Sequence, residues 1–179
     1  QRLSTSSGHA PMGFGLPGAI GACCGNNRKD TICISGDGGL QMNIQELQTI
    51  VHYNLPIKLF VLNNNGYLTI KATQQNHFGR FVGAEESSGV TCPDIIKIAT
   101  AYGLPNIRIA HTEELNSKID SVLKAPGPMV CEIIMEENQP LTPRVSSLKK
   151  PDGTIISKPI EDLFPFLSRE EFPENMIVA

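Results

Sequence analysis

An aspartate and an asparagine, whose side-chain oxygens can bind a metal, each follow an apolar run of this chain. Asp37 comes after the run 31–35, and Asn64 comes after the run 59–62. If the two runs are neighbouring parallel strands, their ends meet at the carboxyl edge of a sheet, where open α/β sheets bind ligands. Carboxylate, amide and backbone carbonyl oxygens suit Mg²⁺, which fills its remaining positions with phosphate oxygens and water. The pattern therefore predicts a site for magnesium and a phosphate group.

The segment between these two residues is long enough for one crossover helix. Asn43, with Glu46 three positions later, predicts a capping box at the helix start. Four apolar residues fall on one face of that helix, namely Ile44, Leu47, Ile50 and Val51. Free amide groups at a helix start attract phosphate, and the glycines around Asp37 let the backbone approach a ligand closely. The alternative is an ordinary strand–turn–helix in which Asp37 is a turn residue and 63–65 is a polar loop.

From Gly36 to Gly66 the chain resembles the thiamine-diphosphate fingerprint, in which a GDG motif precedes a double asparagine at fixed spacing. The resemblance implies that Mg²⁺ is held by Asp37, the side chain of Asn64 and the backbone carbonyl of Gly66. It also implies that backbone amides after the aspartate hold the diphosphate of thiamine diphosphate (ThDP). The cofactor contacts that it implies, besides Asn64 and Gly66, are Gly36, Gly38, Gly39, Tyr67 and Leu68.

Residues 7–22 are similar to the segment that precedes GDG in the acetolactate synthase branch of this superfamily. Met12 stands twenty-five positions before Asp37, as the corresponding methionine does in that branch. The resemblance implies that Met12 packs between the two cofactor rings and that the Ala10 carbonyl accepts from the 4′-amino group. A soft, unbranched side chain suits an irregular gap between rings. Without the resemblance, Met12 is only a hydrophobic residue at a helix start.

A second glycine pattern, G-x-G-x-x-G over 13–18, is typical of dinucleotide-binding sites only when a strand directly precedes it. The preceding residues, 3–8, are small and polar and do not predict a strand. We therefore reject NAD binding and interpret these glycines as permitting close packing of a helix over 16–24.

The composition of the 179 residues, 40% of them hydrophobic, suits one domain with a full-sized core. The net charge of −3 favours neither a nucleic-acid nor a membrane partner, and the apolar run near Ile20 is too short to span a bilayer. No signal peptide is visible. The five cysteines form no C-x-x-C pair, which predicts buried reduced thiols in a cytoplasmic protein. A zinc site from Cys23, Cys24 and His9 is the alternative.

After Asn64, helix and strand patterns alternate. The predicted elements are a helix over 67–73, a mobile loop over 74–90, a helix with Pro93 at its first position, a strand over 107–110, a helix from Thr112 to the break at 126–128, and a strand over 129–135 that is apolar except for Glu132. This alternation predicts the α/β class, with a three-layer, doubly wound, mostly parallel sheet and helices on both faces. The ThDP-binding fold that the resemblance implies has this architecture.

Residues 139–179 differ from the rest because six prolines interrupt any long element. A turn is predicted at 151–154. We expect a ThDP- and Mg²⁺-binding domain over 1–138 and an irregular C-terminal tail over 139–179 that packs on the same domain. A lid over the active-site mouth and a purely structural wrap are both open for this tail.

The resemblance implies a ThDP-dependent lyase or transferase that decarboxylates or joins small 2-oxo acids. In this superfamily the glutamate that activates the cofactor lies in a separate pyrimidine-binding domain, usually in the partner subunit, and no segment here matches it. We therefore assign no catalytic residue to this chain. We expect an excised C-terminal piece that is inactive alone and belongs to a homo-oligomer, at least a dimer, in which the missing pyrimidine-binding domain is its partner.

Substrate and cofactor details stay open. Residues 65–67 and the loop 76–90 depart from the acetolactate synthase pattern, so neither the acetolactate product nor a need for FAD follows. An enzyme that joins or cleaves carbon units on unusual substrates, as in sugar biosynthesis, fits these residues equally well. Two further alternatives are a separate ThDP-binding subunit of a two-subunit oxo-acid decarboxylase or oxidoreductase, and a non-catalytic module that retains the fold.

Overall fold

The computed structural model describes residues 2–6 and 8–176. Its strands are β1 Thr31–Gly36, β2 Ile57–Asn63, β3 Asn106–Ile109, β4 Met129–Ile134, β5 Ser147–Lys149 and β6 Ile155–Ser157. Its α-helices are α1 Gly15–Gly25, α2 Asp37–Gln41, α3 Leu47–Tyr53, α4 Leu68–Phe78, α5 Ile95–Ala101, α6 Leu115–Lys124 and α7 Glu171–Glu174. Short 3₁₀ turns lie at Ile44–Glu46, Glu86–Ser88 and Thr112–Glu114.

Strands β1 to β4 form one parallel sheet in the order β1-β2-β4-β3. In the register of β1 and β2, Gly36 lies opposite Leu62, so both strands end at the same edge. The chain continues there into Asp37 on one strand and into Asn63 and Asn64 on the other. The prediction that these two strands are parallel neighbours is confirmed, as is the α/β class.

Helices cover both faces of the sheet, because successive side chains of a strand point to opposite faces. On one face, Leu59 and Val61 belong to a core that includes buried residues of α1, α3 and α5. On the other face, Phe60 and Cys131 pack with α6 around Val122. Full burial of one large aliphatic side chain contributes roughly 1.5–3 kcal/mol, so the two cores fix the strand ends firmly. The three-layer architecture is as predicted.

The helix after Asp37 begins differently from the prediction. Asp37 itself starts α2, and a 3₁₀ turn separates α2 from α3. The side chain of Asn43 caps no helix, because its Nδ2 donates to the Gly13 carbonyl oxygen at 3.0 Å. Glu46 accepts instead from Thr49 Oγ1 at 2.8 Å. The capping box is therefore wrong, whereas the predicted apolar face does pack into the core.

Two other helix boundaries also differ from the predictions. Helix α4 runs further than expected, to Phe78, and is followed by Gly79, which has a left-handed φ of +63°. The loop therefore starts at this glycine rather than at Gln74. Helix α5 is capped by Asp94, whose carboxylate accepts from the Lys97 N–H at 3.0 Å. Pro93 therefore precedes the cap and does not occupy the first helical position.

The cysteines are only partly buried. Cys23, Cys33 and Cys131 are buried, as predicted, whereas Cys24 is exposed and Cys92 is half-buried. Across the described part of the chain, no helix is both long and apolar enough to cross a membrane.

The chain divides into two compact units, 1–138 and 139–179. In the second unit β5 and β6 form an antiparallel hairpin, and the Lys150 N–H donates to the Thr154 carbonyl oxygen across the predicted turn. The buried carboxylate of Asp162 pairs with Lys158 and Arg169 in the same unit. That the tail packs on the first unit, or acts as a lid, stays a prediction.

Candidate magnesium and diphosphate site

The Asp37 side chain lies at the centre of the predicted site. Asp37 follows β1 directly and is only 1% exposed. Its Oδ2 accepts from the backbone N–H of Gly66 at 3.0 Å, which ties the end of β1 to the turn that follows β2. The aspartate and the asparagine turn are thus in direct contact, although 29 positions separate Asp37 from Gly66.

Three oxygen atoms converge beside this contact. The side-chain oxygen of Asn64 lies 2.9 Å from the Gly66 carbonyl oxygen and 3.2 Å from Asp37 Oδ1. Turned over, the amide NH₂ of Asn64 donates to both oxygens, which is the arrangement expected without a metal; with a metal bound, the amide oxygen would face the same position. Oxygens at adjacent corners of a Mg²⁺ octahedron, with metal–oxygen distances of about 2.1 Å, lie roughly 3.0 Å apart. The donor set and its spacing therefore fit a magnesium ion.

The close packing of the two turns requires a glycine at position 38. A Cβ built on Gly38 would lie 2.3 Å from two ring carbons of Tyr67 and 3.2 Å from the Gly66 carbonyl oxygen. A Cβ on Gly39 would meet only Ser35 Oγ, at an ordinary 3.5 Å. Glycine at the first of these positions lets the two strand-end turns touch.

The turn after β2 has an unusual backbone. Asn65 and Gly66 both have positive φ, +58° and +156°. A Cβ on Gly66 would lie 2.6 Å from the Ala84 carbonyl oxygen, and that same oxygen accepts from the Tyr67 N–H at 2.9 Å. Helix α4 then begins at Leu68, so the predicted contact residues Tyr67 and Leu68 lie at a helix start.

The segment that carries Ala10 and Met12 lies before α1. Met12 is exposed in a turn, and Ala10 has a positive φ of +43°. The segment is tied to the chain after α2, because the Gly13 carbonyl accepts from Asn43 and a Cβ on Gly13 would lie 2.8 Å from Met42 Cβ. No sequence pattern indicated this role of Asn43, since its spacing to Glu46 matched a helix cap instead.

A cavity of about 430 Å³ opens beside the asparagine turn. Besides 64–68, it is lined by Lys71, which forms an ion pair with Glu85, and by three further polar residues, Glu86, Ser87 and Glu137. The hydrogen bond from Lys71 lowers the pKa of Glu85, so this carboxylate stays ionised. Sequence reasoning missed this cavity, because its polar residues come from three separate segments.

Cys92 is a second neighbour that sequence reasoning missed. Burial, and after it the nearby Asp37 carboxylate, raises the pKa of its thiol to about 11. The thiol is therefore protonated and neutral at physiological pH, and it adds no negative charge to the oxygens of the site.

Of the predicted site residues, the structure brings Asp37, Gly38, Asn64, Gly66 and Tyr67 into one cluster. Gly36 ends β1, and Gly39 and Leu68 lie in the first turns of α2 and α4. Ala10 and Met12 lie on the separate segment that Asn43 anchors.

Comparison with known proteins shows the family of this chain. A profile of the family described as "Thiamine pyrophosphate enzyme, C-terminal TPP binding domain" matches residues 1–133; TPP is another name for ThDP. The acetolactate synthase large subunit of Cyanidium caldarium is 37% identical over 143 residues, which are 79% of this chain and 24% of that protein. Acetolactate synthase 2, chloroplastic, of Zea mays is 36% identical over 149 residues, 80% of this chain and 23% of that protein.

A similar red-algal protein extends the match further along this chain. The acetolactate synthase large subunit of Porphyra purpurea is 35% identical over 157 residues, 87% of this chain and 26% of that protein. The chain thus spans about a quarter of the length of these relatives. With the profile covering most of its residues, the chain belongs to the thiamine pyrophosphate enzymes, as a C-terminal TPP-binding domain of the acetolactate synthase-like type.

Proposed function

We propose that this chain holds the diphosphate of ThDP through a magnesium ion, as part of a larger enzyme that decarboxylates or joins 2-oxo acids. The observation that carries the proposal is the convergence of three oxygens from Asp37, Asn64 and Gly66. The side-chain amide of Asn64 lies 2.9 Å from the Gly66 carbonyl oxygen and 3.2 Å from Asp37 Oδ1, so its oxygen would complete a set of three oxygen ligands. A carboxylate, an amide oxygen and a backbone carbonyl are the hard donors that Mg²⁺ takes.

The chain's own residues would bind and orient the cofactor. The backbone amides of Gly38 and Gly39 in α2, and of Leu68 at the start of α4, would meet the diphosphate, since free amides at helix starts favour anions. Met12 and the Ala10 carbonyl would contact its rings. When bound, ThDP supplies the nucleophile and the electron sink for breaking a carbon–carbon bond next to a carbonyl.

A further domain would complete the site. The curated relatives are about four times longer than the matched region, and three exposed apolar residues, Met12, Phe14 and Met42, lie on the two segments that Asn43 joins. Grouped exposed apolar side chains are typical of an interaction surface. The proposed partner is a pyrimidine-binding domain with the activating glutamate, in a homo-oligomer of the complete enzyme. We expect the isolated chain not to turn over a 2-oxo acid.

A calorimetric titration of ThDP into the complete protein, with Mg²⁺ and again with EDTA, tests the proposal. Heat of binding that appears only with Mg²⁺ is the expected result. Binding that is equal in EDTA would overturn the magnesium assignment, and no binding under either condition would overturn the function. Pyruvate decarboxylation by the isolated 179-residue chain would overturn the need for a second domain.

A further inference from the structure

Glu132 is a fully buried carboxylate in the middle of the sheet. It lies on β4 among apolar residues and is 0% exposed. A buried charge is retained only where other groups compensate it. Its partners therefore indicate what the carboxylate does.

Glu132 has one partner on each side. Its Oε2 accepts from Arg108 Nε at 2.5 Å on β3, and its Oε1 accepts from Asn63 Nδ2 at 2.6 Å at the end of β2. Hydrogen bonding to the carboxylate raises the pKa of Arg108, so this cation is permanent. The pair with Arg108 accounts for the charge, whereas the bond to Asn63 reaches the turn that carries the candidate metal ligands.

Asn63 transmits this contact to the backbone. Its Oδ1 accepts from the Asn65 N–H at 2.9 Å, in a turn where Asn65 has a positive φ. An ionised carboxylate can only accept hydrogen bonds, so Glu132 forces the NH₂ of Asn63 toward itself and the amide oxygen toward Asn65. The orientation of the Asn63 amide is thereby fixed, and with it the turn that carries the Asn64 side chain and the Gly66 carbonyl.

We propose that Glu132 is a positioning residue for the magnesium site, acting through Asn63 on the turn that presents Asn64 and Gly66. This inference rests on the proposed function, because it assigns a role toward the same metal. Replacing a residue that orients metal ligands through hydrogen bonds, without itself touching the metal, typically lowers metal affinity about 10–100-fold. The expected defect is therefore a higher Mg²⁺ requirement, in addition to any loss of stability.

The test compares Asn63→Ala and Glu132→Gln with a control, Val122→Ala, in the complete protein. Val122 is fully buried in the core on the α6 face and has no part in the site, so its replacement lowers the melting temperature without touching the turn. Two quantities are measured at matched protein concentration. One is the Mg²⁺ concentration that half-saturates ThDP binding, and the other is Mn²⁺ affinity by electron paramagnetic resonance without ThDP.

Asn63→Ala is expected to raise the half-saturating Mg²⁺ concentration about 10-fold or more, with binding restored by excess Mg²⁺. Glu132→Gln should raise it less, because glutamine still offers an acceptor but no longer imposes the amide orientation. Val122→Ala should leave the half-saturating Mg²⁺ concentration unchanged, however far its melting temperature falls.

Two failures are distinguishable in this experiment. A wild-type protein without Mg²⁺-dependent ThDP binding would overturn the proposed function and this role with it. A wild-type protein that binds normally, while both variants shift the Mg²⁺ requirement by less than about twofold or no more than Val122→Ala, would overturn the role of Glu132 alone. If one of the two variants fails to fold, the Mg²⁺ requirement of the other decides. If both fail to fold, the proposed role of Glu132 is overturned, because the contact then serves stability.

Discussion

The two strand-end turns that meet at the site are built by different means. The first turn, 36–39, passes directly from β1 into α2, has no side-chain cap, and depends on a glycine that lets Tyr67 approach. The second turn, 63–67, has two positive φ angles and is held by hydrogen bonds that Asn63 and Tyr67 donate to Glu132 and to the Ala84 carbonyl oxygen. Local composition therefore specifies the first turn, whereas distant residues specify the second.

The two turns should therefore respond differently to substitution. Changes near the first turn should act on ligand binding or on the packing between the turns. Changes to Glu132, the support of the second turn within the sheet, should act on the free energy of unfolding and on metal affinity together, because it is fully buried. The following substitutions test that separation, starting with the largest expected effect.

Replacing Arg108 by alanine leaves the Glu132 carboxylate buried without its cation. Because Arg108 is 41% exposed and water can replace it in part, we expect the low end of the range for a broken buried pair, a loss of about 3 kcal/mol in the free energy of unfolding. Urea unfolding measures it. The matched control is the double variant Arg108→Ala/Glu132→Gln, which removes both charges and should recover part of the loss. An equal loss in both proteins would contradict the charge explanation.

Asp37→Ala should abolish the metal-dependent part of ThDP binding. We expect affinity to fall by about 100-fold or more, roughly 2.7 kcal/mol, in calorimetry with Mg²⁺. The melting temperature of the ligand-free protein should fall as well, because the Gly66 N–H loses its acceptor, so affinity is measured well below the melting temperature of the variant. The control is Asp30→Ala, an exposed acid before β1. Unchanged ThDP affinity in Asp37→Ala would reject Asp37 as a metal ligand.

The pair Gly38→Ala and Gly39→Ala tests the contact between the turns. The methyl group at 38 would clash with the Tyr67 ring, so a loss of about 1–3 kcal/mol in the free energy of unfolding is expected. At 39 the space is sufficient, and the change should stay below about 1 kcal/mol. In a Tyr67→Ala background the penalty at 38 should shrink. Equal effects at both positions would show that the turns do not depend on this approach.

Asp94→Asn should have the smallest effect, because it alters only the outer partner of Arg108. Asparagine caps a helix about as well as aspartate, and an exposed ion pair contributes at most about 1 kcal/mol. The hydrogen bond from the Lys97 N–H, and to a smaller extent the one from Arg108, lowers the pKa of Asp94 from its ordinary 3.8. The stabilisation that ionised Asp94 contributes to the folded state is therefore fully present above pH 3.8, and it is lost as the pH falls through the lower pKa of the folded state. Acid unfolding curves of Asp94→Asn should be correspondingly flatter, and identical curves would contradict the assignment.

The sequence predicted those parts of the site that depend on local pattern. Asp37 and Asn64 could be placed together because their apolar runs predicted parallel strands, and the register confirms that the strands end together. The contacts of Asn43 and Asn63 could not be found, since their partners lie 30 and 69 positions away. Helix α4 was predicted too short because its polar residues after 73 provide no apolar face, although α4 continues to Phe78.

The position of β1 in the sheet has a consequence for solubility. Among the described residues, β1 is one of the two outer strands of the sheet and pairs only with β2, and its Ile32 and Ile34 side chains are 57% and 66% exposed. An open strand edge beside exposed apolar residues can pair with another copy and lead to aggregation. When the chain is produced alone, aggregation through this edge will therefore limit the protein concentration that can be reached. Ile32→Lys should relieve this limit, since a lysine on an edge strand disfavours such pairing.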